Sequence, residues 1–271
     1  MSIEALEARW DGFLSKARER FEAVMQESLE GCAELLRETG GDTIVVSNAW
    51  TGMRLRAIGL AGKIEETWSQ QVQDQFLAAS VPEARVDANF GKGEALRDWM
   101  EIEIERVEIA IFANALRSML DAARVEQAEL RCSQCGGELA IGLTLRGVDI
   151  NCSRCGALVH VEPGPRARMA EALGHYLWRE ATWELWLEKH AAERACKRTR
   201  GTQLPLLQAW ELAELRYLSA WLRERAKLML GAERDFEKDL VGRMRHFYDS
   251  CEREAVWTRA GRPQQIAAFL P

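Results

Sequence analysis

The sequence contains little proline, little histidine and no long apolar run. Six prolines and twenty glycines in 271 residues are too few for a disordered or low-complexity chain. No stretch approaches the roughly 18 uncharged apolar residues of a membrane-spanning helix, and the most apolar stretch, residues 109–116, is short and contains Asn114. The first residues have neither the basic nor the apolar region of a signal peptide. We therefore expect a folded cytoplasmic protein with no membrane segment.

The sequence also lacks the common catalytic motifs. It has no Walker loop, no Rossmann glycine pattern, no His-Glu-x-x-His motif and no nucleophile elbow. Glu101, Glu105 and Glu108 would form an acidic stripe on a helix. None of the four histidines follows a glutamate by three residues, as the di-iron helical bundles require. We interpret the stripe as a solvated helix face, with a carboxylate metal site as the alternative.

Most of the chain carries a helical pattern of apolar residues at steps of three and four. Ser2 is the expected N-cap of the first helix, and Gly40-Gly41 its end. Residues 82–93 are small and polar and are predicted to be a loop. Gly231 or Gly242 is expected to bend or split the last helix. The predicted helices span about residues 3–37, 48–79, 94–130, 166–200 and 202–258.

Four of the seven cysteines form two equally spaced pairs. The sequence reads Cys132-Ser-Gln-Cys135-Gly and, sixteen residues later, Cys152-Ser-Arg-Cys155-Gly. A two-residue gap lets both sulfurs of a pair face one ion, and the glycine permits a tight turn behind them. Four thiolates leave no open coordination position, so the sequence predicts one structural zinc ion. Iron in the same sulfur site is the chemical alternative.

This segment resembles the zinc-ribbon family in its two Cys-x-x-Cys-Gly knuckles. The resemblance covers about thirty residues and implies bound zinc, without implying one function. Zinc ribbons occur in transcription and translation proteins, as inserts in enzymes and as protein-docking modules. Between the knuckles and after them, β-forming residues predict strands at 139–145, 148–150 and 158–161.

These observations predict a mainly α fold. We expect an elongated bundle of about five long helices, with a zinc-ribbon β module inserted between the third and fourth. The predicted domains are residues 1–130, 131–163 and 164–271. The remaining cysteines, Cys32, Cys196 and Cys251, fall in helical patterns. We interpret them as buried small hydrophobic residues, with a reactive thiol as the alternative.

Charge is distributed unevenly along the chain. Residues 1–131 carry a net charge of −9, residues 132–165 a net charge of −1 and residues 166–271 a net charge of +4. The two halves could attract each other, or the basic half could meet an acidic partner. Within the basic half, a cluster of cations ends the fourth predicted helix. The cluster either complements the helix dipole or contacts phosphate, and it consists of Arg194, Lys197, Arg198 and Arg200.

Three hypotheses of function follow. The first is a non-enzymatic scaffold or adaptor that binds another protein or itself, because long helices and ten tryptophans accompany the absence of catalytic motifs. Trp178, Trp183 and Trp186 cannot share one narrow helix face, so they are either core or partly a docking surface. The second is a nucleic-acid-associated regulatory protein that uses the basic half. The third is an all-helical enzyme with an unrecognised site.

Overall fold

The computed structural model describes residues 2–199, 203–229 and 232–251. Helices dominate, and the sheet structure of the described residues is one antiparallel pair of strands, so the predicted mainly α class is confirmed. The chain divides into two compact units, Met1–Ala115 and Leu116–Pro271. The predicted bundle of about five helices and the domain limits at 130 and 163 stay predictions.

The first unit begins with two long helices whose ends follow local sequence signals. In α1 (Ile3–Glu38) the Ser2 hydroxyl accepts a hydrogen bond from the Ala5 N–H, as predicted. After α1 the chain reverses through Gly40 and Gly41, whose φ angles of 63° and 94° favour glycine. In α2 (Thr43–Thr67) the Asp42 carboxylate caps the helix. The predicted start at residue 48 is therefore five residues late.

The second predicted helix does not continue beyond Thr67 as one regular α-helix. Residues Trp68–Val72 form a π-helical turn, and α3 (Gln73–Ala78) follows. Trp68 is buried in this turn against the rings of Trp10, Phe76 and Phe90, at centroid distances of 5.3 to 5.7 Å. The wide turn accompanies this aromatic cluster, which contributes to the core of the first unit.

The predicted loop at residues 82–93 is wrong, because α4 already begins at Glu83 and runs to Ala128. Contacts with α1 explain the difference. Arg85 binds the Glu7 carboxylate at 2.6 Å, and the Trp10 indole N–H donates to the Asn89 carbonyl at 2.9 Å. A Cβ on Gly93 would lie only 3.0 Å from the Trp10 ring. These small and polar residues therefore fit a helix that packs closely on α1.

In the second unit, the single helix predicted at 166–200 is three helices. They are α5 (Pro165–Leu173), α6 (His175–Ala181) and α7 (Trp183–Arg198). A side chain at Gly174 would collide with the Trp178 ring, since an added Cβ would be 2.7 Å from it. At the second break the Thr182 hydroxyl donates to the Trp178 carbonyl at 2.7 Å. Packing of the buried Trp178 therefore accompanies both interruptions.

The last predicted helix is also divided. It consists of α8 (Leu204–Leu228), a 3₁₀ turn (Ala232–Asp235) and α9 (Phe236–Cys251). Gly242 lies inside α9 and does not break it. The predictions at Gly231, at Thr202 and beyond Cys251 fall outside the described residues.

The core of the second unit is formed by α8 together with parts of the other helices. Trp178 packs edge-on against Trp221 at 5.0 Å. Trp183 and Trp186 stack on each other at 4.7 Å and stay half-buried, so the three tryptophans do not share one buried stripe. Cys32 in the first unit and Cys196 in the second are buried, as predicted.

No helix within the described ranges has both the length and the apolar character that a membrane crossing needs.

Candidate metal centre

The two cysteine pairs form matching turns. In each turn, the glycine that follows the second cysteine bonds back to the first cysteine. The N–H of Gly136 donates to the Cys132 carbonyl, and the N–H of Gly156 donates to the Cys152 carbonyl. These bonds measure 2.9 and 2.8 Å, and the two glycines have φ angles of 64° and 73°. The left-handed φ explains why glycine follows each second cysteine.

The two turns bring all four sulfurs together. The Sγ atoms of Cys132, Cys135, Cys152 and Cys155 lie within 4.8 Å of one another. The distances from Cys132 Sγ to Cys155 Sγ and from Cys135 Sγ to Cys152 Sγ are both 3.7 Å. A disulfide would need about 2.05 Å, so these sulfurs are not bonded to each other. The cluster is the one group of this kind in the described residues that could hold a metal ion.

The donor set fits a tetrahedral metal ion. With metal–sulfur bonds of about 2.3 Å, the edge of a sulfur tetrahedron is about 3.8 Å, close to the two distances of 3.7 Å. Four thiolates around one ion are typical of structural zinc. When bound, such an ion would be held by the four cysteines and would supply cross-linking rather than reaction chemistry. The geometry is consistent with zinc.

The ionisation of the four close thiols favours binding of a cation. Backbone N–H groups of Cys155 and Arg154 point at the Cys152 sulfur and lower the pKa of that thiol to about 6. At Cys155 the Ala157 N–H lowers the pKa, but the neighbouring sulfurs and burial outweigh it and raise the pKa to about 11. Close thiols therefore do not all ionise together unless a positive ion balances them.

A short hairpin carries the second cysteine pair. β1 (Val148–Asn151) pairs with β2 (Leu158–Val161), with Asn151 opposite Leu158 at the end that leads into the Cys152–Cys155 turn. These strands confirm two of the three predicted strands. The third, at residues 139–145, is wrong: this part of the described chain forms no strand.

Residues 143–145 instead pack on the helices of the second unit, whereas Leu139 packs beside the cysteines. Leu145 is buried in the same apolar cluster as Leu116 and Leu120. The Gln127 amide binds the backbone of Thr144 twice, donating to its carbonyl at 2.7 Å and accepting from its N–H at 2.8 Å. A side-chain amide therefore replaces the partner strand that the sequence pattern suggested.

His160 lies on β2 between two carboxylates. Its Nδ1 is 2.7 Å from Asp149 Oδ1 and its Nε2 is 2.9 Å from Glu162 Oε1. The hydrogen bond with Glu162 and then that with Asp149 raise the pKa of His160 above its ordinary value. The protonated ring can donate to both acids, so the stabilisation that it provides is complete below the unfolded pKa and disappears as pH rises through the folded pKa.

We expect an NMR titration of metal-loaded protein to give His160 a pKa above about 6.5. Glu162→Gln and Asp149→Asn should each lower it, because each removes one acceptor charge. Glu138→Gln is the matched control, since Glu138 is an exposed acid of the same module that pairs with Arg131. An unchanged pKa in both test variants would contradict the arrangement.

The cations at the end of α7 have partners of their own. The Lys197 ammonium binds Glu193 at 2.6 Å, one turn earlier. Arg194 and Arg198 also take part in interactions, and Arg200 lies outside the described residues. A role of these cations in phosphate contact stays a prediction. The Lys197–Glu193 pair fits the alternative, in which cations at a helix end complement the helix dipole.

The acidic stripe of α4 is only partly solvated. Trp50 donates its indole N–H to Glu108 at 2.9 Å, and the Arg54 guanidinium lies 3.5 Å from Glu105 and 3.4 Å from Glu108. The solvated-face interpretation is therefore wrong for Glu105 and Glu108, whereas Glu101 is exposed. These acids face α2 and help to bind it to α4.

Sequence reasoning missed a second group of polar residues, in the second unit. A cleft at the end of α8 and the start of α9 is lined by several cations, among them Arg225, Arg243 and Arg245. The density of cations in residues 223–245 is the sequence feature that could have indicated this cleft. The partners and spacing of these cations, however, depend on how α8 and α9 pack.

Comparison of the chain with models of protein families, with curated proteins and with solved structures gives no match.

Proposed function

We propose that this chain is a non-enzymatic, zinc-stabilised helical adaptor that binds another protein or a second copy of itself. In this proposal the four cysteines hold one Zn²⁺ and the surrounding residues form a zinc ribbon. The protein acts in the cytoplasm. The observation that supports the adaptor role best is an uncharged, exposed face of α2.

This face, the α2 outer face, follows the helical repeat for more than five turns. Ile44 is 62% exposed, Leu55 is 65% exposed and Ile58 is 47% exposed. Asn48, Thr51, Gly59 and Gly62 complete the face and are also exposed. The opposite face, with Trp50, Ala57 and Ile64, is buried. An α-helix with large apolar residues on its solvent side is typical of a surface that another protein covers.

The glycines of α2 support the same interpretation. Gly52, Gly59 and Gly62 each cost a helix about 1 kcal/mol relative to alanine. A Cβ at any of them would meet no atom within 4 Å. Within the described chain, no neighbouring helix therefore lies close to these three glycines. A partner helix that lies on Gly59 and Gly62 would use the space that they leave open.

Leu55→Glu should abolish association, because it places a charge in the centre of the α2 outer face. Size-exclusion chromatography with light scattering, together with identification of co-purifying proteins, would measure this. Leu77→Glu is the matched control, since Leu77 is 61% exposed on α3. If wild-type protein is monomeric and recovers no partner, or if both variants behave alike, the adaptor proposal fails.

Gly59→Ala is expected to have opposite effects on stability and on association. In the isolated chain we expect the free energy of unfolding to rise by about 0.5–1 kcal/mol, because alanine has the higher helix propensity and the site is open. In the association assay the same variant should bind less tightly, because the methyl group separates the partner from α2. Thermal unfolding and the association assay measure the two effects. A rise in stability with unchanged association would show that the glycine is not at an interface.

A second candidate function is association with nucleic acid through the basic half. The cleft cations near the start of α9 favour it over the α7 cluster, in which Lys197 pairs with Glu193 and both Arg194 and Arg198 take part in other interactions. The all-helical enzyme is the remaining alternative, and no catalytic motif in the sequence supports it.

A further inference from the structure

A basic cleft lies between the end of α8, the 3₁₀ turn and the first half of α9. Its volume is about 940 Å³. Five cations line it, Arg225, Arg234, Lys238, Arg243 and Arg245, and among the described residues its acids are Glu237 and Asp239. The lining therefore carries a net charge of about +3 at neutral pH.

Most of this positive charge is not compensated. Asp239 pairs with Arg225. Within the described residues, no ion pair joins Arg234, Lys238, Arg243 or Arg245 to an acid. Burial, and after it the nearby charge of Arg225, lower the pKa of Arg243 against the opposing charge of Asp239. An anion placed between these guanidinium groups would relieve their repulsion.

Two of the arginines are held in place before any ligand binds. Arg225 is fixed by Asp239 and also donates from Nε to the Met229 sulfur at 3.4 Å. The Arg243 guanidinium lies over the Trp221 ring, 4.2 Å from its centroid. Side chains that are already ordered lose less entropy on binding, so a phosphate between them would be held well.

A second cavity, the inner cavity, adjoins the cleft. It has a volume of about 410 Å³ and lies between α7, α8 and α9. Gly242 and Arg243 line both cavities, so the two meet at that point of α9. A Cβ at Gly242 would meet no atom within 4 Å. A larger side chain at Gly242 would therefore have free space where the two cavities meet.

The inner cavity is less charged and partly aromatic. Trp210 and Phe247 pack edge-to-face at 5.1 Å and form one wall. The buried Trp210 indole N–H has no acceptor within the described residues. Lys189 and the buried Glu214 neutralise each other across 3.1 Å. The volume and this mixture of aromatic and polar groups are typical of small-molecule sites.

We propose that the basic cleft and the inner cavity together bind one small phosphorylated molecule. Its phosphate lies among Arg225, Arg234 and Arg243, and its ring or apolar part enters the inner cavity beside Trp210. A lone phosphate would leave the inner cavity empty, and a purely apolar ligand would leave the cations without a counterion. This site is separate from the α2 outer face, so it goes beyond the adaptor function.

The test uses zinc-loaded full-length chain and isothermal titration calorimetry with four probes: pyrophosphate, adenosine diphosphate, adenosine and a single-stranded oligonucleotide. We expect adenosine diphosphate to bind most tightly, pyrophosphate more weakly and adenosine least. Arg234→Gln should weaken both phosphate compounds by about tenfold, because it removes a charge-assisted hydrogen bond. The Arg234 side chain has no ion-pair partner in the described residues, so folding should be unaffected.

Gly242→Leu separates the two parts of the site. It places a larger side chain where the two cavities meet, so it should weaken adenosine diphosphate and leave pyrophosphate unchanged. Arg20→Gln, an exposed arginine of α1 with the same loss of charge, is the matched control and should have no effect. The proposal is overturned if pyrophosphate and adenosine diphosphate do not bind, or if the Arg234→Gln variant binds them like wild type. It is also overturned if the oligonucleotide binds tightly and adenosine diphosphate does not displace it, which would favour nucleic acid instead.

Discussion

Cys152→Ser is expected to lose the metal ion and unfold the segment around residues 130–162. The buried apolar core of this segment is small, with Leu139 and Val161 beside the buried cysteines Cys132 and Cys152. So few residues rarely offset the entropy of ordering a chain without a cross-link. Zinc held by four sulfurs contributes on the order of 10 kcal/mol to such a module, far more than this core supplies.

Elemental analysis should find one zinc ion per wild-type chain and close to none in the variant. Hydrogen exchange should show that the amides of β1 and β2 lose their protection in the variant and after addition of a chelator. Cys32→Ala is the matched control, because Cys32 is buried in α1 and is not a member of the cluster, and it should keep the full zinc content. Full protection of β1 and β2 in metal-free protein would refute the structural role, and stoichiometric iron in place of zinc would refute the identity of the ion.

Glu211→Gln is expected to stabilise the protein at pH 7 by about 1 kcal/mol, because removal of the buried charge outweighs the cost of an amide N–H without a partner. Glu211 is fully buried on α8, and its Oε1 accepts a hydrogen bond of 2.5 Å from the Tyr248 hydroxyl. Its Oε2 has no partner within the described residues. Burial raises the pKa of Glu211 against the opposing effect of Tyr248. Ionisation is therefore unfavourable in the folded state, whereas glutamine keeps the shape without the charge.

The sign of the pH dependence follows from the raised pKa. Below the unfolded pKa, near 4.5, both states carry a neutral carboxyl, so wild type and variant should be equally stable. As pH rises from there to the folded pKa, wild type loses stability relative to the variant, and above the folded pKa the difference is constant. Chemical denaturation from pH 4 to pH 8 measures this difference. A variant that is less stable than wild type at pH 7 would mean that the ionised carboxylate has a partner.

Features that depend on neighbouring residues could be predicted from the sequence. The Ser2 cap, the Gly40-Gly41 reversal and the cysteine pairs each need only a few consecutive residues to produce their geometry. The sixteen residues between Cys135 and Cys152 leave enough chain for a return to the first pair, and the structure brings the four sulfurs together. The cluster was therefore predictable, although its ion and function were not.

Features that depend on distant residues could not be predicted. Apolar residues alternate along residues 139–145 as they do in a strand. In the structure, however, Leu145 packs in the helical core of the second unit, and the Gln127 side chain forms the hydrogen bonds to the Thr144 backbone. Residues 82–93 look like a loop until Trp10 and Glu7 of α1 are opposite them. The basic cleft likewise requires α8 and α9 to pack before Arg225 and Arg243 meet, and no single helix of the sequence shows it.

The two bonds between Gln127 and Thr144 would link metal binding thermodynamically to the helices of the second unit. One stretch of chain runs from the Cys135 turn through Leu145 into the helical core, so the order of each end favours the order of the other. Such linkage is reciprocal: if zinc strengthens the packing at Leu145, then changes that loosen this packing must weaken zinc affinity by the same factor. The affinity of the four sulfurs for a metal ion would then depend on the packing of the helices as well as on the cysteines.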